Sequence, residues 1–340
     1  MTLADRLSDA VLHTLELSHV WLGAELGLYA ALRELGPSTP AELAARAGIA
    51  ERYAREWLEQ QAVAAVLVAE DGRFSLPGEH AEVLLDPDSL LHRVPAAYNA
   101  LDVVRALPLV REAFRSGAGV PASAYGEQGG NGAGDENRPE YLHHLAAEWL
   151  PALPDVHARL TAGARVADLG CGTGWSSIAI ARGYPLTSVD GIDLDPVSIA
   201  QAQANAAGLG DRVTFRAGDA ATLEGDYDLV CVLECLHDMA DPVSVLRTAK
   251  SQVAADGVVL VMEERVAEEF TAPGDRVERA HYAWSAVMCL PASLVEQPSA
   301  AIGTCIRPST VRALGLEAGF SAVELLPIEH DSWLFYRFTP

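Results

Sequence analysis

Leu12, Leu15, Leu17, Trp21, Leu22, Leu26, Leu28 and Leu32 recur close to every third or fourth position, which predicts an amphipathic helix across the first 36 residues. Gly23 and Gly27 weaken its middle. Thr39-Pro40-Ala41-Glu42 then combines a capping hydroxyl, a proline at the first helical position and a glutamate three residues after the cap, so a second helix starts there. Ala47-Gly48-Ile49 turns the chain, and Tyr53, Trp57, Leu58 and Val63 restore helical spacing over 51–65. Val66 to Leu76 alternates about Asp71-Gly72, the dipeptide favoured in two-residue hairpin turns. Helix, turn, helix, hairpin over residues 1–85 outlines a winged helix.

Residues 86–160 read as a helical linker. It is interrupted over 116–137 by a glycine-rich stretch without period, either a mobile cover or an inserted loop. Helical spacing returns from Tyr141 to Leu160. From Ala164 the pattern changes to short β-branched runs at 165–169, 187–193, 212–216, 227–233, 257–263, 322–328 and 333–338, separated by helical stretches. That alternation predicts an α/β domain over 161–340, a seven-stranded Rossmann-like sheet with helices on both faces.

Charge settles which partners such a chain can have. Its 340 residues hold 24 basic and 47 acidic side chains, and the single lysine is Lys250. A net charge of −23 repels nucleic-acid phosphates and anionic lipid. Residues 1–85 carry six arginines against thirteen acids, so the winged-helix outline points to a structural or dimerising role, with DNA reading as the alternative it disfavours. The five cysteines include no CxxC pair, and neither a signal peptide nor an 18-residue apolar run is present, so a cytoplasmic protein with reduced thiols is expected.

The sharpest motif is Asp168-Leu169-Gly170-Cys171-Gly172-Thr173-Gly174, which leaves the first of these strands and enters a helix near Trp175. Three alternating glycines let a ligand approach the main chain closely. Trp175 stands where a dinucleotide fingerprint needs its third glycine, and no Gly-Lys-Ser/Thr follows, so neither a diphosphate nor a phosphate loop fits. The reading left is a small zwitterion on a nucleoside, with Asp168 facing its ammonium. Asp193, at the end of the next strand, is placed to accept from two ribose hydroxyls, and Asp219 from an adenine amine; helix or turn capping is the alternative for each.

These residues, together with Gly218-Asp219-Ala220 and Tyr227-Asp228-Leu229-Val230-Cys231, resemble class I S-adenosylmethionine-dependent methyltransferases over 160–265. The resemblance implies S-adenosyl-L-methionine as cofactor and strand order 3-2-1-4-5-7-6 with strand 7 antiparallel. It marks Asp168, Gly170, Gly172, Gly174, Asp193, Leu194, Asp219, Ala220 and Glu234 as the cofactor set. The amino-terminal part is similar to that of small-molecule O-methyltransferases, which implies a homodimer. Leu236-His237-Asp238-Met239-Ala240-Asp241 resembles their Leu-His-Asp-Trp-x-Asp segment, with Met239 in place of tryptophan. The whole chain also resembles an actinobacterial group of methyltransferase- or regulator-like proteins.

His237 is therefore the candidate base for a hydroxyl acceptor, because neutral imidazole is suited to take a proton near neutral pH; a structural histidine that caps the following helix or hydrogen-bonds the loop is the alternative. Glu234, Asp238, Glu263, Glu264 and Glu329-His330-Asp331 all remain open as its orienting carboxylate or as loop residues. Tyr282, Trp284 and Met288, with Asp238, Glu329 and His330, form the candidate acceptor wall, and Tyr98, Tyr125 and Trp149 are alternatives to it. The expected reaction is methyl transfer to a small, aromatic, hydroxylated metabolite, with nitrogen or carbon acceptors and a cofactor-sensing regulator as rivals. A closed zinc site is not expected, since no paired CxxC or HxxxH occurs.

Overall fold

The computed structural model describes residues 1–126 and 132–340, and side chains from 134 onward in the second stretch. The chain forms two compact units, Met1–Leu101 and Asp102–Pro340. In the first, α1 (Leu3–Glu25), α2 (Leu28–Leu35), α3 (Pro40–Ala47) and α4 (Glu51–Val63) precede the hairpin β1 (Val68–Glu70) and β2 (Arg73–Ser75), followed by α5 (Gly78–Leu85). The single helix expected over 1–36 is two, because Gly27 adopts φ +64° and starts α2 anew. The capping box at Thr39 and Glu42 is formed. Both turn residues of the hairpin, Asp71 and Gly72, have positive φ, as a type I′ turn requires. On α4, Arg52 pairs with Glu56 and Arg55 with Glu51, so the arginines of the would-be recognition helix are answered by their own helix.

Helix α6 (Val94–Ser116) leads to a 3₁₀ turn at Ala122–Tyr125 and then α7 (Gly132–Glu140), a π-helical stretch Tyr141–Trp149, and α8 (Pro154–Ala162). The stretch expected as a glycine-rich loop over 116–137 is thus partly helical; its residues 127–131 lie outside the described residues. Nor is 86–160 a linker throughout. Tyr141, Leu145, Trp149, Leu153 and Leu160 enter the same core as Val166, Ile178 and Leu260 of the sheet unit.

The sheet is built from β3 (Arg165–Leu169), β4 (Ser188–Asp193), β5 (Val213–Ala217), β6 (Tyr227–Leu233), β7 (Val253–Glu264), β8 (Ala322–Leu325) and β9 (Trp333–Thr339). Their order is β5-β4-β3-β6-β7-β9-β8, with β9 antiparallel to both its neighbours, as the resemblance implied. Helices α9 (Trp175–Gly183), α10 (Pro196–Asn205), α11 (Pro242–Gln252), α12 (Arg276–Trp284), α13 (Leu290–Ser293) and α14 (Pro308–Glu317) connect and cover the strands. Continuous apolar runs such as Val258 to Met262 are buried on both faces, where a parallel sheet needs them. The carboxyl ends of β3, β4, β6 and β7 therefore converge on one edge, and that edge carries the polar chemistry.

Candidate active site

The glycine motif turns sharply off β3. Gly170, Gly172 and Gly174 have φ of +69°, +50° and +83°, which side chains with a Cβ rarely adopt. A Cβ on Gly174 would lie 2.6 Å from the Phe215 ring, whereas one on Gly172 would meet nothing within 4 Å. The first glycine is needed for packing, and the second leaves open space before the main chain. Asp193 braces this turn: its Oδ2 accepts from the Gly172 N–H at 2.9 Å and its Oδ1 from the Asp195 N–H at 2.9 Å. Burial raises its pKa, and the two backbone donors oppose that rise.

One oxygen of Asp168 is already engaged within the fold. The residue is buried, and its Oδ2 accepts from the hydroxyls of Ser176 and Ser177 at 2.6 Å each. Burial still pushes its carboxyl up to about 6 against those hydrogen bonds. Asp219 is exposed and caps a short 3₁₀ turn through Ala221 N–H, which is the capping role weighed for it; Ala220 is buried and Leu194 exposed. Helix α7 lies against the motif: Trp175 Nε1 donates to Asp135 at 3.2 Å, Arg138 stacks over the Trp175 ring at 3.9 Å, and a Cβ on Gly134 would lie 2.3 Å from Thr173 Oγ1.

At the ends of β6 and β7 stands a second set. His237, on the 3₁₀ turn Leu236–Asp238, is buried, and its Nδ1 lies 2.6 Å from Glu263 Oε2. The other oxygen of Glu263 accepts from the N–H groups of Leu236 and His237, at 2.7 and 3.2 Å. One carboxylate thereby fixes both the ring and the turn that carries it. It is Glu263, among the acids left open by the sequence, that orients the imidazole. With Nδ1 held by Glu263, the other ring nitrogen, Nε2, lies 3.5 Å from Asp238 Oδ1. Burial by itself would depress the His237 pKa, but the Asp238 and Glu263 carboxylates and the Cys289 thiol outweigh it and hold the ring well above its ordinary value. His237, Asp238 and Cys289 present ligand-type atoms within 4.8 Å of one another, a juxtaposition the sequence does not announce because Cys289 lies some fifty residues away.

Beside this pair, burial raises the carboxyls of both Glu234 and Glu264, Glu234 to about 7, and the charge of Glu234 raises Glu264 further. Glu234 also accepts from Asn137 of α7 and holds an unusual φ of +56°. The remaining expected wall residues are scattered. Tyr282 is exposed, and its hydroxyl accepts from Arg307 at 2.7 Å. Trp284 and Met288 pack on the cluster of Val103, Val110, Val120 and Tyr125. Glu329 is exposed, and His330 Nδ1 accepts from the N–H groups of Ser332 and Trp333 while its ring stacks on Trp333 at 4.4 Å. Trp149 is core, and Tyr125 is buried with its hydroxyl donating to Val287 O. Tyr98, which falls in the first unit, donates its hydroxyl to Glu25.

Comparison with known proteins follows this geometry. Residues 160–302 match a methyltransferase domain family, and residues 15–85 match the Rv2258c-like winged helix-turn-helix domain. Norajmaline N-methyltransferase of Rauvolfia serpentina is 37% identical over 100 residues, 28% of this chain and 34% of that one. The chain thus spans about a third of the plant enzyme's length. A 3-hydroxy-5-methyl-1-naphthoate 3-O-methyltransferase of Streptomyces sahachiroi is 29% identical over 267 residues, 74% of each chain. In structure, human N-acetylserotonin methyltransferase with S-adenosylmethionine bound superposes over 99% of this chain and 98% of its own, with TM-score 0.74 at 19% identity. Residues 160–302 are thus similar to a methyltransferase domain, and residues 15–85, ahead of it, to a Rv2258c-like winged helix-turn-helix domain.

Proposed function

We propose that the protein transfers the methyl group of S-adenosylmethionine to a hydroxyl of a small, aromatic metabolite, with His237 as the base. The observation that carries this reading is the buried His237–Glu263 pair at the strand edge that also bears the open glycine turn. The donor set suits the cofactor: an uncrowded backbone at Gly172 and an acid, Asp193, already held by two N–H groups at the end of β4. When bound, the cofactor supplies an electrophilic methyl on a sulfonium.

The chain's own residues then have three tasks. Glu263 accepts from Nδ1 and would stabilise the imidazolium formed when Nε2 takes the acceptor hydroxyl's proton. The buried surroundings of His237 and Leu236 exclude water, so positioning contributes much of the acceleration. Because the resting imidazole is held above its ordinary pKa, its base form grows as pH rises. The experiment is incubation with labelled S-adenosylmethionine and a panel of phenols and catechols, beside His237→Ala. We expect label on oxygen and a loss on the order of 10²–10⁴ in the variant; undiminished turnover there removes His237 as the base.

The reading extends to a cytoplasmic homodimer. On α1, Leu3, Leu7, Val11, Leu15, Leu22 and Leu26 are exposed along one side, an arrangement suited to a second copy. Replacing Leu7 and Val11 by glutamate is expected to give monomers in sedimentation. No helix among the described residues is long and apolar enough to cross a membrane.

A further inference from the structure

Glu263 and Glu264 are neighbours on β7 and point to opposite faces of the sheet. The first is fully answered by His237 and two N–H groups. The second is not. Glu264 is 6% exposed, and its Oε2 has no hydrogen-bond partner among the described residues. His281 of α12 comes within 3.3 Å through Nδ1 but without hydrogen-bond geometry, and its own Nε2 is equally buried and unpartnered. Leaving such atoms unpaired is costly, and so each asks for a ligand.

The charge of that ligand follows from what surrounds it. Burial raises the carboxyls of both Glu234 and Glu264, and the charge of Glu234 raises Glu264 further, so the two buried acids do not ionise together unless a cation joins them. No arginine or lysine among the described residues pairs with either. Arg307 is engaged by Tyr282, Ala267 and Glu278, and Arg265 by Asp331. Burial, with His237 and Arg265 nearby, pulls His281 down to about 4, so it is neutral at pH 7 and contributes a polar edge without a charge. What is missing is a cation with N–H donors.

We infer that the acceptor carries a protonated amine, received by Glu264 Oε2 and the Glu234–Glu264 carboxyl pair, while its hydroxyl is presented to His237. This rests on the hydroxyl reading given under Proposed function and names the substrate class for it: hydroxylated aromatic amines. The pair stands at the same strand edge as His237, at the ends of β6 and β7. Glu264 belongs to the same strand as Glu263, two strands from the glycine turn of β3, and both His237 and Glu264 act electrostatically on Cys305. An ammonium would donate to the oxygen that now lacks a partner and supply the positive charge that the buried pair lacks.

The test uses the full chain loaded with S-adenosylhomocysteine and two pairs of isosteric probes, tyramine against tyrosol and dopamine against hydroxytyrosol. Calorimetry is expected to show the amines binding at least about tenfold tighter than the alcohols, with the advantage lost in Glu264→Gln and the affinity for the cofactor product unchanged. Glu264→Met, an apolar side chain of similar size, is expected to lose the same advantage and serves if the first variant does not fold. Equal or weaker binding of the amines to the wild type overturns the inference. So does a Glu264→Gln variant that loses S-adenosylhomocysteine while keeping the amine preference, since the pair would then serve the cofactor. Amine preference without methyl transfer leaves the inference standing and sinks the hydroxyl reading; turnover of phenols with no amine preference does the reverse.

Discussion

The two faces of β7 at its carboxyl end form opposite solutions to one problem, a buried glutamate. On one face Glu263, with no exposed surface, accepts from an imidazole nitrogen and two backbone N–H groups. On the other, Glu264 lies near a second raised acid, Glu234, and keeps one buried oxygen without a hydrogen-bond partner among the described residues. The contrast separates a carboxylate that has found its counter-charge within the fold from one that has not. The first builds and holds the local structure, because removing it strands three donors. The second keeps a buried oxygen that no hydrogen bond among the described residues claims, and that oxygen is what the proposed ammonium would take.

The largest expected effect breaks the satisfied side. Glu263→Leu leaves the His237 ring and two N–H groups without an acceptor, and we expect a loss of about 3–5 kcal/mol, read from chemical denaturation. A variant as stable as the wild type would mean that Glu263 does not organise this turn. Glu263→Gln keeps an acceptor but removes the charge, so turnover should fall by about 10² or more, as when a triad carboxylate is made neutral. Its pH profile carries the sharper signature. The wild-type rate should rise with pH as His237, held above its ordinary pKa, loses its proton, and the inflection should move to lower pH once Glu263 no longer favours the imidazolium.

The same shift bears on stability, with a definite sign. A histidine whose folded pKa exceeds its unfolded value of about 6.5 stabilises the fold fully below that value and loses the contribution as pH rises through the folded pKa. Melting temperature should therefore fall on the alkaline side in the wild type and fall less in Glu263→Gln. Glu264 behaves in the parallel sense, since its raised carboxyl makes ionisation at high pH costly to the native state. Glu264→Gln should melt about 2–4 °C above the wild type at pH 8.5 and close to it at pH 4; a variant less stable at both would show that Glu264 is structural. The smallest effect is expected from Cys289→Ser. Loss of a thiol that favours the His237 imidazolium should move the pH inflection only slightly, and an unchanged profile would remove Cys289 from the base's surroundings.

Much of the fold could be read along the chain because it rests on local signals. Asp71-Gly72 specified a hairpin, Thr39 and Glu42 a helix start, and β-branched runs the seven strands, each set by neighbouring residues alone. The boundary at 101/102 was harder, since it depends on which core Tyr141, Leu145 and Trp149 join. Helix α7 was missed for a different reason. Gly-Ala-Gly-Asp-Glu-Asn-Arg-Pro-Glu has poor helix propensity, and what holds it are contacts with Trp175 and Glu234 far along the chain. His330 was placed in the acceptor wall by its type, yet its Nδ1 is occupied by the backbone of its own turn.

By itself the sequence determined the class of architecture, the glycine turn and the place of His237 just beyond a strand end, because these depend on composition and spacing over a few residues. Tertiary structure alone decided which of several acids grips His237, that Asp168 turns to Ser176 and Ser177, and that Glu264 ends beside Glu234 with an oxygen to spare. The physical reason is that ionisation and hydrogen-bond pairing depend on distance and burial. Residues such as His237 and Glu263 are brought into contact only when β6 and β7 lie side by side.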